Sequence, residues 1–439
     1  MDNILKQAKK IHFIGIGGIG ISAIARMMLL EGKTVSGSDR DKTKVTDELE
    51  KAGATIMIGQ RAENIPVDCD LVVYTVAIPV DNAEFVEAKN RGVKMLTYPE
   101  TLNIISKEKY TIAVSGTHGK TTVTAMIAKI MIDAGLDPTV IVGSLIGDTN
   151  FIMGQSKYLV VEADEYRKSF HNLMPSILVI NNIDLDHLDF YKDLVDIQNS
   201  FLHLAQKLPG DGFLVCNTAL PNLRPVIEGV KPARPHSGGC QVVDYGGLEM
   251  KEKLLIPGEH NRQNAKTAFA VAKVLGVDLK VAEKSLAGFA GTWRRFEYKG
   301  KTKSGALVYD DYAHNPQKVK AALQGAREMY PDKRIVVVFQ PHLFSRTKLL
   351  LNDFATAFGD ANEVILTPIF PAREVFDPTI SSEILAEEIK KAQKSLDAPV
   401  LSFPDFTSIS SHLQSTLGPD DVLITMGAGE QYKIGDSLL

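Results

Sequence analysis

The chain has little of what would send it to a membrane, to nucleic acid or to an oxidising compartment. Its 439 residues include only three cysteines, Cys69, Cys216 and Cys240, an odd and scattered set. Without C-x-x-C spacing they argue against a zinc ribbon or a disulfide framework and for reducing surroundings. No apolar run reaches the length of about eighteen residues that reads as a bilayer span. Basic excess is missing too: the net charge of −4 gives no field that would gather nucleic acid or an anionic membrane. Low-complexity tracts and short-period repeats are also lacking, in a composition that is 44% apolar and 23% charged. One stretch imitates a secretory leader, with Lys6, Lys9 and Lys10 ahead of apolar residues and Ala23-Ile24-Ala25 as a cleavage site. Four glycines interrupt its apolar part and Arg26 follows at once, so it does not read as a leader. These absences predict a cytoplasmic protein.

What is present is a phosphate loop. Gly116-Thr117-His118-Gly119-Lys120-Thr121-Thr122 follows an apolar strand-like run at 110–114 and opens a helix-like one at 123–135. Glycines let backbone N–H groups approach phosphate oxygens, and a helix N-terminus adds its positive dipole end. Lys120 would reach the β- and γ-phosphates, and the Thr121 hydroxyl would sit on Mg²⁺. The strict Walker pattern asks for four residues between its glycines, and here only Thr117 and His118 stand between Gly116 and Gly119. The strand before and the helix after therefore carry the assignment to a nucleoside triphosphate.

The length predicts about three domains. Residues 11–16 read as a buried strand, and Gly15-Ile16-Gly17-Gly18-Ile19-Gly20 fits G-x-G-x-x-G before an amphipathic helix. Further strand-like runs at 34–39, 55–59, 70–75 and 93–96 alternate with helical patterns, which predicts a parallel sheet with helices on its faces. A second series starts at Tyr110 and runs through 139–143, 158–164, 177–184 and 212–217. Pro221 to Gly247 reads as surface loops or short antiparallel strands, and a helix from Asn261 to Leu275, closed by Gly276, ends the unit. A third series has strands at 306–313, 335–340, 363–369, 399–403 and 422–427, with a helix opened by Pro316. The expectation is an α/β protein with domains at 1–108, 109–292 and 293–439.

Asp39 lies about twenty residues past the first glycine loop, as a dinucleotide fingerprint asks. A diphosphate on a helix N-terminus and a ribose hydroxyl on a carboxylate suit a UDP-sugar as well as NAD. Glu162-Ala163-Asp164-Glu165 ends a strand, where carboxylates suit a hard cation. Asn181-Asn182-Ile183-Asp184-Leu185-Asp186-His187 ends another, and its imidazole either ligates a second metal ion or orients a nucleophile. Asn261 and Asn264 open a helix with amides that either hold an adenine edge or, for Asn261, cap the helix. Arg294 and Arg295 stand at the second boundary as a phosphoryl clamp or as a structural ion pair. Asp310-Asp311-Tyr312-Ala313-His314-Asn315-Pro316 and the run from Phe339 to Thr347 both follow buried strands.

Together the strings HFIGIGGIG, SGTHGKTT, EADE, NIDLDH, GEHNRQN, WRRFE, YDDYAHNP, FQPHLFSRT and MGAGE, in this order from His12 to near Gly429, resemble the Mur ligase family. The likeness is nearest to the members that add the first amino acid of the peptidoglycan stem peptide. It implies an N-terminal Rossmann-like domain for a UDP-sugar, a central P-loop ATPase-type domain with a mostly parallel sheet, and a C-terminal Rossmann-like domain that binds the amino acid and closes over the site. Gly17, Gly18, Ile19, Gly20 and Asp39 would take the UDP-sugar. Residues Gly116, Thr117, His118, Gly119, Lys120, Thr121 and Thr122 would take the triphosphate. The resemblance further implies Thr121 and Glu162 on one Mg²⁺ and His187 on a second, with Asn261 and Asn264 at the adenine and Arg295 or Arg294 as the clamp. Asp311 and His314 would be delivered by the last domain, and Arg346 with His342 would hold the amino-acid carboxylate.

The implied reaction is MgATP-driven amide formation between L-alanine and the lactyl carboxylate of UDP-N-acetylmuramate through an acyl phosphate. Its partners are small molecules, with ATP and Mg²⁺ as cofactors, no nucleic acid and no membrane, in a monomer or homodimer. His118 and His187 both stand as candidate bases for the amine. The chain departs from the family pattern at Leu343, where an arginine is common, at Asn315, where a second histidine is common, and at Glu430, where an aspartate is usual. Asp196-Ile197-Gln198-Asn199-Ser200 lacks the lysine that sister ligases carbamylate, which favours the first-step enzyme. A recycling ligase that attaches a preformed tripeptide is the alternative within the family. An NAD-dependent oxidoreductase would leave the loop at 116–122 and Glu162–Glu165 unexplained, and a non-catalytic ATP-binding module would not need Lys120 together with the metal groups.

Overall fold

A computed structural model describes residues 4–146, 149–187, 190–230, 240–372, 374–392 and 399–439. The first five strands are β1 (Lys10–Ile14), β2 (Thr34–Asp39), β3 (Thr55–Ile58), β4 (Leu71–Tyr74) and β5 (Lys94–Thr97). They form an all-parallel sheet in the order β3-β2-β1-β4-β5. The chain moves outward from β1 to β2 and β3, then returns to the other side of β1, so the glycine loop after β1 sits where the strand order reverses. Ligands bind open α/β sheets at such points.

Seven strands make the second sheet: β6 (Tyr110–Ser115), β7 (Thr139–Ile146), β8 (Thr149–Ile152), β9 (Tyr158–Glu162), β10 (Ile177–Ile180), β11 (Phe213–Cys216) and β12 (Gln241–Asp244), in the order β12-β11-β10-β6-β9-β7-β8. Among the described residues only the β7–β8 pair is antiparallel. β6 lies between β9 and β10, so the loop after it is flanked by Glu162 on one side and Asn181 on the other. The stretch from Pro221 to Gly247, expected as loops or antiparallel strands, instead holds a helix at Arg224–Gly229 and β12 running parallel to β11. Its proline and glycine content resembles a hairpin, but a crossover this long can return the chain in the same direction. Residues 231–239 of this stretch lie outside the described residues.

These two sheets belong to one compact unit, Met1–Lys253 with Gln263–Gly288. A continuous core joins them: Phe13, Ile24 and Met28 belong to the same buried cluster as Phe151, Leu159 and Phe201. The Asn150 amide donates to Ser22 Oγ at 2.8 Å and so bonds β8 to the helix Ile19–Leu30.

The other unit, Leu254–Arg262 with Phe289–Leu439, contains the third sheet. Its strands are β13 (Glu297–Lys301), β14 (Leu307–Asp311), β15 (Arg334–Gln340), β16 (Glu363–Leu366), β17 (Val400–Ser402) and β18 (Asp421–Gly427), ordered β13-β14-β18-β15-β16-β17 with β13 antiparallel. Successive residues of β15 alternate between two cores. Val337 and Phe339 pack with Leu323 and Phe358, while Val336 and Val338 pack with Ile409 and Leu423. The architecture is therefore three α/β domains built on mostly parallel sheets. No helix among the described residues is long and apolar enough to cross a membrane.

Candidate active site

The loop after β6 turns directly into the helix Lys120–Asp133, and no side chain caps that helix. Its N-cap, Gly119, holds φ 84°, and a Cβ there would collide with the amides of Asn181 and Asn264. Glycine is what this left-handed, crowded position admits. The loop is pinned to β10's end: Thr117 N donates to Asn182 O at 3.1 Å and His118 N to Asn182 Oδ1 at 2.8 Å. Asn181, buried, donates to Asn264 Oδ1 at 3.0 Å and accepts from Thr267 Oγ1 at 3.0 Å. This cradle fits a phosphate group, because an uncapped helix N-terminus presents its first N–H groups to an anion.

Lys120 lies at the head of that helix with acceptors around it. Its Nζ donates to Gly116 O at 2.7 Å, to Glu165 Oε1 at 2.9 Å and to Thr117 O at 3.5 Å. Burial would lower the lysine pKa, but Glu165, then Asp164 and Glu162, outweigh it and raise the value, so the ammonium is charged. Thr121 Oγ1 donates to Glu162 Oε1 at 3.0 Å, and Glu162 Oε2 accepts from Gly143 N at 2.8 Å. A hydroxyl and a carboxylate oxygen so close suit Mg²⁺, which takes oxygen ligands. Asp164, Glu165 and His187 form a second group whose ligand atoms lie within 4.8 Å of one another. His187 adopts φ 53° and puts Nε2 3.6 Å from Glu165 Oε1. Burial alone would lower its pKa; the bond to Glu165 and the nearby carboxylates raise it instead.

In the first sheet, Gly17 N donates to Asp39 Oδ2 at 2.8 Å and Arg40 N to Asp39 Oδ1 at 2.8 Å. Asp39, expected at a ribose, accepts from a backbone N–H group with each of its oxygens and so fixes the shape of the glycine loop. Gly18 precedes the helix Ile19–Leu30 as an N-cap without a side-chain bond, so Ile19 and Gly20 open that helix.

The second unit separates the two adjacent arginines. Arg294 is 3% exposed and spends its guanidinium on Asp310 Oδ2 at 2.6 Å, Gly429 O at 2.9 Å and Gly427 O at 2.8 Å. It ties β14 to the end of β18 and is not available as a clamp. Arg295 faces the Tyr312 ring at 5.2 Å and is partly exposed. Asp311, pushed up by burial against the pull of Arg295, accepts from Phe296 N and Ala313 N, each at 2.7 Å. Asn315 caps the helix Pro316–Met329 by accepting from Lys318 N, which accounts for this residue here.

His314 Nδ1 lies 2.9 Å from Tyr312 O. A carbonyl only accepts, so Nδ1 carries the proton and Nε2 is the open acceptor. Burial, with Lys318 and Arg346 nearby, holds its pKa well below the ordinary value, so the imidazole is neutral. Arg346 Nη1 is 3.2 Å from His342 Nδ1, and the His342 ring lies 6.3 Å from that of His314. Leu343 occupies the turn between them with φ 70° and donates its N–H to Phe370 O at 2.9 Å.

The first unit thus gathers Lys120, Thr121, Glu162, His187 and Asn264, and the second gathers Arg295, Asp311, His314, His342 and Arg346. Asn261, weighed as a helix cap, lies instead inside the helix Glu259–Val274 and donates to Pro257 O at 2.7 Å. Sequence reasoning passed over two residues. Glu165 was visible only as the last letter of Glu162-Ala163-Asp164-Glu165, and Asn181 only as the first of its run; no local pattern marks either as a partner of the loop.

The sequence matches three family models in chain order: the Mur ligase family catalytic domain at residues 10–110, the Mur ligase middle domain at 114–235, and the Mur ligase glutamate ligase domain at 294–429. It is 42% identical to the UDP-N-acetylmuramate–L-alanine ligase of Clostridium kluyveri, with 98% of each chain covered. It is also 42% identical to the enzyme of that name from Caldanaerobacter subterraneus, covering 100% of this chain and 99% of the other. The crystal structure of the UDP-N-acetylmuramate-alanine ligase of Thermotoga maritima superposes with a TM-score of 0.80 at 29% identity, covering 98% of both chains. With identity of this order along its whole length, the chain belongs to the Mur ligase family.

Proposed function

We propose that this chain is an ADP-forming ligase that joins L-alanine to the lactyl carboxylate of UDP-N-acetylmuramate at the expense of ATP. The observation that carries the reading is the uncapped helix N-terminus with Lys120 at its head and the Thr121–Glu162 pair beside it, in a chain 42% identical to enzymes named for that reaction. The first sheet's glycine loop would take the UDP-sugar diphosphate, and Asp39 would hold that loop in shape.

A carboxylate is a poor acyl donor, and phosphate is a good leaving group. The lactyl carboxylate therefore attacks the γ-phosphorus of ATP, giving an acyl phosphate and ADP, and the alanine amine then displaces phosphate through a tetrahedral intermediate. Lys120 and Arg295 are the cations that would balance charge shifting onto the bridging oxygen. Mg²⁺, when bound by Thr121 and Glu162, would neutralise phosphate charge, and His187 with its neighbouring carboxylates would hold a second ion. Asn261 and Asn264 would meet the adenine, and Asp311 the nucleotide.

Arg346, supported by His342, would hold the alanine carboxylate, with Leu343 adding no charge to it. Alanine enters as an ammonium and must lose a proton before it attacks. His314, neutral with Nε2 open, would accept that proton as a third candidate beside His118 and His187. The test is phosphate release and product mass with each substrate omitted in turn. Release that requires both L-alanine and UDP-N-acetylmuramate supports the reading, and product formation with a tripeptide but not with alanine would move the chain to the recycling branch.

A further inference from the structure

We infer that Glu165 is a positioning residue that aims the Lys120 ammonium at the nucleotide; the inference rests on the ligase reading above. Glu165 is 2% exposed, and its Oε2 lies 2.7 Å from Lys120 Nζ while Oε1 accepts the directed hydrogen bond at 2.9 Å. Oε2 has no hydrogen-bond partner of its own, so its contact with the ammonium is Coulombic. A buried ammonium faced by both oxygens of a buried carboxylate is held in direction. Its hydrogen bonds number three. The bond to Thr117 O, at 3.5 Å, is the longest and the first that a phosphate oxygen can replace. Gly116 O and Glu165 then hold Nζ from behind with the remaining two protons.

The backbone that carries this carboxylate is itself braced. Tyr191 OH donates to Glu165 O at 2.5 Å and lies 3.2 Å from Ser200 Oγ; Tyr191 is 2% exposed. Lys168 N donates to the same carbonyl at 2.9 Å. Glu165 also meets His187, so one side chain orients a cation and an imidazole together. Removing it would leave both side chains present but loosely aimed, and small misplacements at a reacting centre can slow it by up to about 10²-fold. At the same time one negative charge would vanish from beside the polyphosphate, which strengthens ground-state attraction.

The two consequences have opposite signs, and damage to the fold cannot imitate that. Glu165→Gln and Tyr191→Phe are compared with wild type in two assays: steady-state turnover with saturating L-alanine and UDP-N-acetylmuramate, and ADP titration by calorimetry in EDTA, which reports phosphate binding without metal or chemistry. The expected result for Glu165→Gln is a kcat at least about 10-fold lower with an ADP Kd unchanged or tighter. Tyr191→Phe, which keeps the charge and loosens only the brace, is expected to lower kcat by a smaller factor with Kd unchanged. A kcat equal to wild type in Glu165→Gln, or a kcat and an ADP affinity that fall in parallel in both variants, would overturn the proposal. Wild-type enzyme that fails to turn over these substrates would count against the ligase reading, whereas active wild type with an indifferent Glu165→Gln would count against Glu165 alone.

Discussion

Arg294 Nε donates to Asp310 Oδ2 at 2.6 Å, with the two side chains only 4% and 2% exposed. Burial pushes Asp310 up to about 6 against the pull of Arg294, so the pair is charged at neutral pH. Removing one member strands the other charge in a dry interior, which typically costs about 3–5 kcal/mol. Arg294→Met should therefore lower the urea midpoint sharply, while Arg295→Met should leave it nearly unchanged and reduce turnover instead. Equal stability of the two variants would refute this division of labour.

Gly119 allows a second test. Gly119→Ala places a Cβ against the Asn181 and Asn264 amides at φ 84°, and a left-handed non-glycine residue by itself costs about 1–3 kcal/mol. Nucleotide affinity should fall, measured by ADP titration, with UDP-N-acetylmuramate affinity preserved because its loop follows β1 in another sheet.

Lys120→Ala should slow acyl-phosphate formation by about 10²- to 10³-fold or more. Rapid-quench detection of ADP formed in the first turnover checks this, and retained rates would remove the lysine from the chemistry.

His171 links stability to pH. Burial, with the charges of His203 and Lys207 adding to it, pushes this imidazole from its ordinary 6.5 down to about 4, although the bond to Ser200 opposes the shift. The unfolded chain takes up its proton near 6.5 and the folded one only near 4, so stability is full above 6.5 and is lost as pH falls toward 4. His171→Gln should shrink the drop in urea midpoint between pH 7 and pH 5. An unchanged drop would show that other groups control it.

Arg346→Ala should raise the alanine KM by about 10- to 100-fold, since hydrogen bonds to charged groups contribute about 1.5–3 kcal/mol. One methyl in an apolar pocket discriminates by only about 1–3 kcal/mol, so glycine or serine should react slowly but measurably. Glycine turning over as fast as alanine would contradict the alanine assignment.

Much of this fold is local in origin and so was legible. The runs at 11–16, 110–114 and 335–340 became central strands because continuous apolar stretches of strand length have few other ways to be buried, and the turns after them are glycine-rich. Pro316 opened its helix as expected, with Asn315 supplying the cap. The misreadings are non-local. β12 looked antiparallel because its strand direction depends on a crossover rather than on its own residues. Arg294 and Arg295 are indistinguishable as letters; burial under Gly427 and Gly429, more than a hundred positions away, separates them. Glu165 pairs with Lys120 across 45 positions, a partnership that no local pattern marks. Spacing carries information about the backbone; which carboxylate meets which cation is settled by tertiary packing.

The most direct measurement of the central claim follows oxygen. UDP-N-acetylmuramate labelled with ¹⁸O in the lactyl carboxylate is incubated with ATP, Mg²⁺, L-alanine and the protein, and the released phosphate is analysed by mass. Attack of the carboxylate on the γ-phosphorus predicts one ¹⁸O in each phosphate and one left in the new amide. Amide formed together with phosphate free of label would contradict the acyl-phosphate account.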